Sequence, residues 1–344
     1  MASVRSVVGP GLSAGGRRVT NEFVIKYLGM ILTMSMLGRV YDKVVHHGRA
    51  LITIGKTVTE AKMLLAKVLI DRNAQRGQLD DIRHAEFKIF SQFGEDGILQ
   101  YLIRQARITR DETTFVEFGA AYYGEANTVF LVMNDDWRGL LIDGSEANVA
   151  HIRKLPMFWM HDLTAIAAFI DADNIDQLIG DAGFRGKIGL LSIDIDGNDY
   201  WVWDRITVVD PIIVVAEYNS VFGFKRAVTI PYDKKFMRTQ AHYSNLYFGC
   251  SLKALEIVAA RKGYALVGSN SAGNNAFFVK RDRLNGQPAL TAEQAYVRSR
   301  FRESVDRSGQ FSYLAGDARL SVIADMPLFD IEKGANIRAG ELLS

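Results

Sequence analysis

The chain contains a single cysteine, Cys250, in 344 residues. That excludes a disulfide framework and a thiolate metal cluster, and a reducing, cytoplasmic setting is expected. A formal net charge of +2, with no basic tract interleaved with aromatics, leaves no electrostatic case for a nucleic-acid partner. The uncharged run YLGMILTMSMLG (27–38) is shorter than the roughly 20 residues that a membrane-spanning helix needs, and no small-residue cleavage pattern follows it. An interfacial or buried packing helix is expected there, with peripheral membrane contact through residues 23–40.

What is present is ample apolar material. Hydrophobic residues make up 48% of the chain and aromatics 10%, enough for a substantial core. The length exceeds the usual single domain, so one α/β core with extensions is expected. Two aliphatic runs stand out. KIGLLSIDIDGNDYWVW (187–203) delivers Asp194, Asp196 and Asp199, and PIIVVAEYN (211–219) ends in Glu217, Tyr218 and Asn219. Such runs, without polar alternation, predict strands buried on both faces of a parallel sheet, and ligands sit at the carboxyl ends of such strands. Four acids and an amide at neighbouring strand ends suit a divalent metal, a proton or a sugar hydroxyl. Acids in these positions also cap helices and close Asp-Gly turns, so both roles stand open.

Further units surround these two. TTFVEFGAAYYGEANT (113–128) reads as strand, glycine turn and helix, and GLLIDGSE (139–146) as a strand ending in Asp143. An acid at that spacing is placed to accept hydrogen bonds from the ribose of a cofactor. FWMHDLT (158–164) reads as a third strand ending in His161 and Asp162, and GYALVGSN with NAFFVKRD as a closing hairpin. The whole is an α/β, doubly wound, mostly parallel seven-stranded sheet with an antiparallel terminal hairpin. Residues 1–20 read as a flexible N-terminus and 21–85 as a helical extension. Val44, His47, Leu51, Ile54, Val58, Ala61, Leu65 and Val68 form a heptad seam, so a homo-oligomer through residues 40–70 is expected. The polar stretch 72–81 marks the boundary, the core spans 86–283, residues 220–250 form a lid insertion, and 284–344 are a C-terminal extension in which no chemistry is evident.

SQFGEDG, VEFG, Glu125-Ala-Asn127-Thr128, WRGLLIDGS, SIDIDGNDYWVW, VAEYN and YFGCSLKAL followed by GYALVGSNSAGNNAFFV together resemble the class I S-adenosylmethionine-dependent methyltransferases, in the branch related to the FkbM methyltransferases, over roughly residues 86–282. The resemblance implies a Rossmann-like fold and S-adenosyl-L-methionine as cofactor. Carried onto this chain, it puts Glu117 and Gly119 at the methionine end of the cofactor and Asp143 at the ribose. Asp162 with its neighbour His161 would approach the adenine, and Gln92, Ala120, Glu125, Asn127, Thr128, Gly144, Ser145 and Asp194 would complete the cofactor set. Asp194, Glu217 and Asn219 occupy the strand ends where metal-dependent relatives hold Mg²⁺. Asp194, Asp196, Asp199 and His242 are the candidate catalytic residues, the last three as bases. The turn departs from the family pattern, with Ala121 and Tyr123 where glycine is usual, and tyrosines there would stack on the cofactor or crowd it. The lid, with Tyr232, Lys234, Lys235, Arg238, Tyr243 and Tyr247, suits a sugar, especially one carrying phosphate or carboxylate. The expected activity is methyl transfer to a hydroxyl of a sugar, glycan or related metabolite. The alternative is a non-catalytic cofactor-binding or assembly protein. A nicotinamide oxidoreductase is disfavoured, because the glycine turn lacks G-x-G-x-x-G.

Overall fold

In the computed structural model of this chain, residues 21–343 are described. The flexible segment expected at 1–20 lies outside the described residues, and so do the side chains of 21–42, on which the expected membrane contact depends. Among the described residues, no helix is long and apolar enough to cross a membrane.

The aliphatic runs form the strands they predict. β1 (Thr114–Phe118), β2 (Arg138–Asp143), β3 (Leu163–Ala167), β4 (Gly186–Ile193) and β5 (Val209–Glu217) pair in parallel. β6 (Val228–Thr229) belongs to a second sheet, while β7 (Tyr264–Ser269) and β8 (Asn275–Lys280) complete the first. The order is β3-β2-β1-β4-β5-β8-β7, with β8 antiparallel to both of its neighbours. This is the Rossmann-like, doubly wound seven-stranded sheet with an antiparallel terminal hairpin. Apolar side chains cover both faces: Trp203, Leu255 and Phe278 lie on one, Ile98, Leu102 and Trp137 on the other. The chain runs outward in opposite directions from the β1/β4 pair, which opens a crevice at the carboxyl ends there.

One local expectation needs correction. The third strand begins at Leu163, because Pro156 starts a short helix, Pro156–Met160, across the segment read as strand. The insertion at 220–250 is tied to the C-terminal extension. Its β6 pairs with β9 (Pro327–Asp330), which pairs with β10 (Ala335–Arg338). Phe222, Ile230 and Tyr247 of the insertion share a small core with Ile323 and Leu328 of the C-terminal extension. In the C-terminal extension Thr291 and Gln294 form a capping box on the short helix Ala292–Ala295, after which the chain continues extended.

The N-terminal helix runs from Asn21 to Arg76. The chain divides within it into two units, residues 1–61 and 62–344, earlier than the polar stretch at 72–81. From Lys62 onward the helix joins the second unit: Lys62 Nζ donates to the Ile89 carbonyl at 2.9 Å, and Ala66 is buried with Phe87, Ile89 and Phe130.

Candidate functional site

Gly119 ends β1 with φ +68, and a Cβ there would meet the Asp194 carbonyl oxygen at 1.9 Å. Only glycine allows β1 to turn this closely beneath the end of β4. The turn that follows keeps a left-handed backbone without glycine, since Ala121 has φ 46 and Tyr123 φ 53. Such residues persist only where surrounding contacts hold them. Here the Ala121 N–H donates to Asp143 Oδ2 at 2.9 Å, and the buried Tyr123 hydroxyl lies 2.8 Å from Thr128 Oγ1. Tyr123 lies in the core beneath the turn, and exposed Tyr122 meets His151 edge-on.

Glu117 lies below the same turn. One of its oxygens accepts the Asn127 N–H at 2.9 Å and the other accepts the Thr128 hydroxyl. Burial pushes its carboxyl up to about 7. Asp143 accepts three hydrogen bonds, from the Ala121 and Ser145 N–H groups and from Asn148 Nδ2. Ser145 caps the helix Glu146–Ile152. The loop carrying Gln92 and Phe93 is held by two buried acids. Asp96 accepts from the N–H groups of Ile89, Phe90 and Ser91, and Glu95 from those of Phe93 and Gly94.

Two cavities open at the crevice. One, of about 510 Å³, has Gly119, Asp143, Gly144, Phe169 and Asn198 in its wall. The other, of about 460 Å³, is bordered by Glu217, Arg238, Phe301, Glu303 and Arg319. Gln92, Asp194 and Asp196 line both. Each volume is in the range of small-molecule sites. At their junction, one oxygen from each of Asp194, Asp196 and Glu217 lies within 4.8 Å of the others. Burial, then the charges of Asp196 and Asp199, raise the Asp194 carboxyl well above the carboxylate range; burial, then Asp194, do the same to Glu217. Glu217 Oε2 is buried with no hydrogen-bond partner. Arg238 Nη1 reaches Asp196 Oδ1 at 2.5 Å.

No protein-family model matches this chain, and no curated protein does. Among solved structures it is similar to the N-terminal domain of EvdMO1 with SAH bound, at 11% identity over 62% of this chain and 94% of that one, with a TM-score of 0.36. It is also similar to an O-methyltransferase from Bacillus cereus in complex with SAH (13% identity, 62% and 90% covered, TM-score 0.33) and to M. jannaschii TYW2 in complex with AdoMet (12% identity, 56% and 78% covered, TM-score 0.30). These likenesses concern the fold alone.

The structure thus gathers Gln92, Gly119, Glu125, Asp143, Gly144 and Asp194 around the first cavity, whereas Glu117, Ala120 and Thr128 lie buried under the turn, and Asn127 bonds Ser192 there. Five expectations are corrected. His161 and Asp162 precede β3 and lie at the opposite end of the sheet, paired with Asp136 at 2.7 Å and Arg138 at 3.3 Å. Asn219 lines the second cavity with its amide engaged in the loop, Oδ1 accepting the Val221 N–H and Nδ2 donating to the Leu246 and Phe248 carbonyls. Asp196 completes a carboxylate trio with Asp194 and Glu217. Asp199 is a loop-closing acid rather than a free base: its two oxygens accept the Ile195 and Gly197 N–H groups, both at 2.9 Å, and burial pushes it up to about 6. His242 borders neither cavity and bonds Ser244 instead. Finally, the C-terminal extension, read as devoid of chemistry, lines the second cavity with Ser299, Phe301, Arg302, Glu303 and Arg319. The first cavity also uses Ala168, Phe169 and Ile170 after β3. Pro156 at a helix start was the signal that would have placed them.

Proposed function

We propose that this chain is an S-adenosylmethionine-dependent O-methyltransferase that acts on a hydroxyl of a sugar, glycan or related metabolite with help from a divalent cation. The observation that carries the reading is the pair of abutting cavities sharing Asp194 and Asp196, which suits a donor and an acceptor meeting at one carboxylate wall. The first cavity fits the cofactor: Asp143 stands at the end of β2, and Asn198 Oδ1 is a buried acceptor with no partner. S-adenosylmethionine supplies a methyl group on a sulfonium, so the protein chiefly aligns the reactants and removes a proton.

Asp194, Asp196 and Glu217 are hard oxygen donors of the type that holds Mg²⁺, and the unpartnered Glu217 Oε2 fits that use. A cation there would lower the pKa of the acceptor hydroxyl. Without one, burial and the mutual repulsion of Asp194 and Glu217 raise both carboxyls well above the carboxylate range. Calorimetry tests both parts. S-adenosylhomocysteine should bind, and Asp143→Ala should weaken it about tenfold; absence of binding retires the methyltransferase reading. Mg²⁺ should bind and be lost in Glu217→Gln, and equal Mg²⁺ affinity in the two proteins retires the metal. Self-association is also proposed, because Ile54, Val58, Leu65 and Val68 of the heptad seam are all more than half exposed.

A further inference from the structure

The wall of the second cavity comes largely from a segment far away in sequence. After its one-turn helix the chain runs extended along the end of β5. The Tyr218 hydroxyl donates to the Val297 carbonyl at 2.7 Å, and the Ser299 N–H donates to Ser220 Oγ at 3.1 Å. It also passes so close to the β7/β8 turn that a Cβ on Gly273 would lie 2.7 Å from both Ser299 N and Val297 O. Thus anchored, it sets the Phe301 ring on Phe93 with centroids 4.8 Å apart, and directs Glu303 toward Arg319 and Arg238.

Two of the cations in this wall, Arg238 and Arg319, are already ion-paired. Arg238 bonds Asp196 and lies 3.8 Å from Glu303, while Arg319, only 5% exposed, donates Nη2 to Glu303 Oε1 at 3.3 Å. Arg302 is tied through Nε to the Tyr313 carbonyl at 2.6 Å, and Lys234, one of the cations that suggested an anionic sugar, pairs with Asp173. Four carboxylates, Asp194, Asp196, Glu217 and Glu303, line the same space. Two buried groups there lack partners: Glu303 Oε2, an acceptor, and Arg319 Nε, a donor. A hydroxyl both donates and accepts, so neighbouring hydroxyls on one ring satisfy such a pair, whereas a phosphate or carboxylate offers acceptors alone and meets repulsion from the acids.

We propose that this cavity binds an uncharged, polyhydroxylated ring, a sugar without phosphate or carboxylate, whose hydroxyls are read by Glu303 and Arg319 and whose apolar edge rests on Phe301. That the bound ring is the methyl acceptor rests on the methyltransferase reading; the recognition itself does not. The test is saturation-transfer NMR on the full chain with S-adenosylhomocysteine present, using methyl glycosides of glucose, galactose and mannose beside their uronate and phosphorylated counterparts. At least one neutral glycoside should bind and its charged counterparts should not. Glu303→Gln should weaken that binding about tenfold, with S-adenosylhomocysteine affinity and the circular-dichroism spectrum unchanged as controls for folding, although loss of the partner of buried Arg319 lowers the melting temperature; because Arg319 is buried, Arg319→Met is the secondary variant. Charged sugars binding as well as neutral ones, neutral binding that survives Glu303→Gln, or no glycoside binding to protein that does bind S-adenosylhomocysteine would each overturn the proposal. Glycoside binding without S-adenosylhomocysteine binding would instead remove the methyltransferase reading and leave the sugar site standing.

Discussion

Replacing Glu117 with glutamine should abolish a pH dependence of stability that this one carboxyl creates. Glu117 is 3% exposed, and burial pushes it from 4.5 up to about 7. In the unfolded chain it titrates near its ordinary value. Between those two values the folded protein therefore holds a proton that the unfolded chain has released, and stability falls as pH rises through that window. The full penalty is about 3 kcal/mol above the window, of which about 2.5 kcal/mol develops between about pH 5 and about pH 8. Glutamine retains an oxygen for the Asn127 N–H and carries no charge, so it escapes the penalty. Urea unfolding at the two pH values checks this. The wild type should lose about 2.5 kcal/mol more than Glu117→Gln across the interval. Contributions from Asp194, Asp199 and Glu217 are common to both proteins and largely cancel in the difference. If the two proteins lose stability in parallel, Glu117 is not a buried, proton-holding acid and the account of the turn above it is wrong.

Gly119→Ala should be severely destabilising. The left-handed backbone alone costs about 1–2 kcal/mol, and the new methyl group would force the Asp194 peptide aside, so both the melting temperature and S-adenosylhomocysteine affinity should fall; an unchanged melting curve contradicts the packing described. Leu65→Glu with Val68→Glu should convert any dimer to monomer in sedimentation velocity while leaving the fold intact, and a wild type already monomeric at high concentration removes the seam as an interface.

Sheet and crevice were legible in the residues because burial on both faces of a parallel strand leaves an aliphatic run, unbroken at 212–216 and interrupted only by Gly189 and Ser192 at 188–193, and because the acids after such runs mark the carboxyl ends. The role of each acid was not legible. Asp194 and Asp199 look alike in the sequence, yet one faces two cavities and the other spends both oxygens on loop N–H groups. Likewise Asn219 resembles a ligand until its amide is seen bonded to Leu246 and Phe248. The C-terminal wall of the second cavity was hidden altogether. That wall depends on hydrogen bonds between Tyr218 and Val297 and on strand pairing between Val228 and Asp330. By itself, then, the sequence determined which runs are strands and which ends carry charge, since periodic burial is a local property written into neighbouring residues. Only the tertiary structure decided which acids remain free and what closes the second cavity, since contacts between segments about eighty residues apart leave no periodic trace in either.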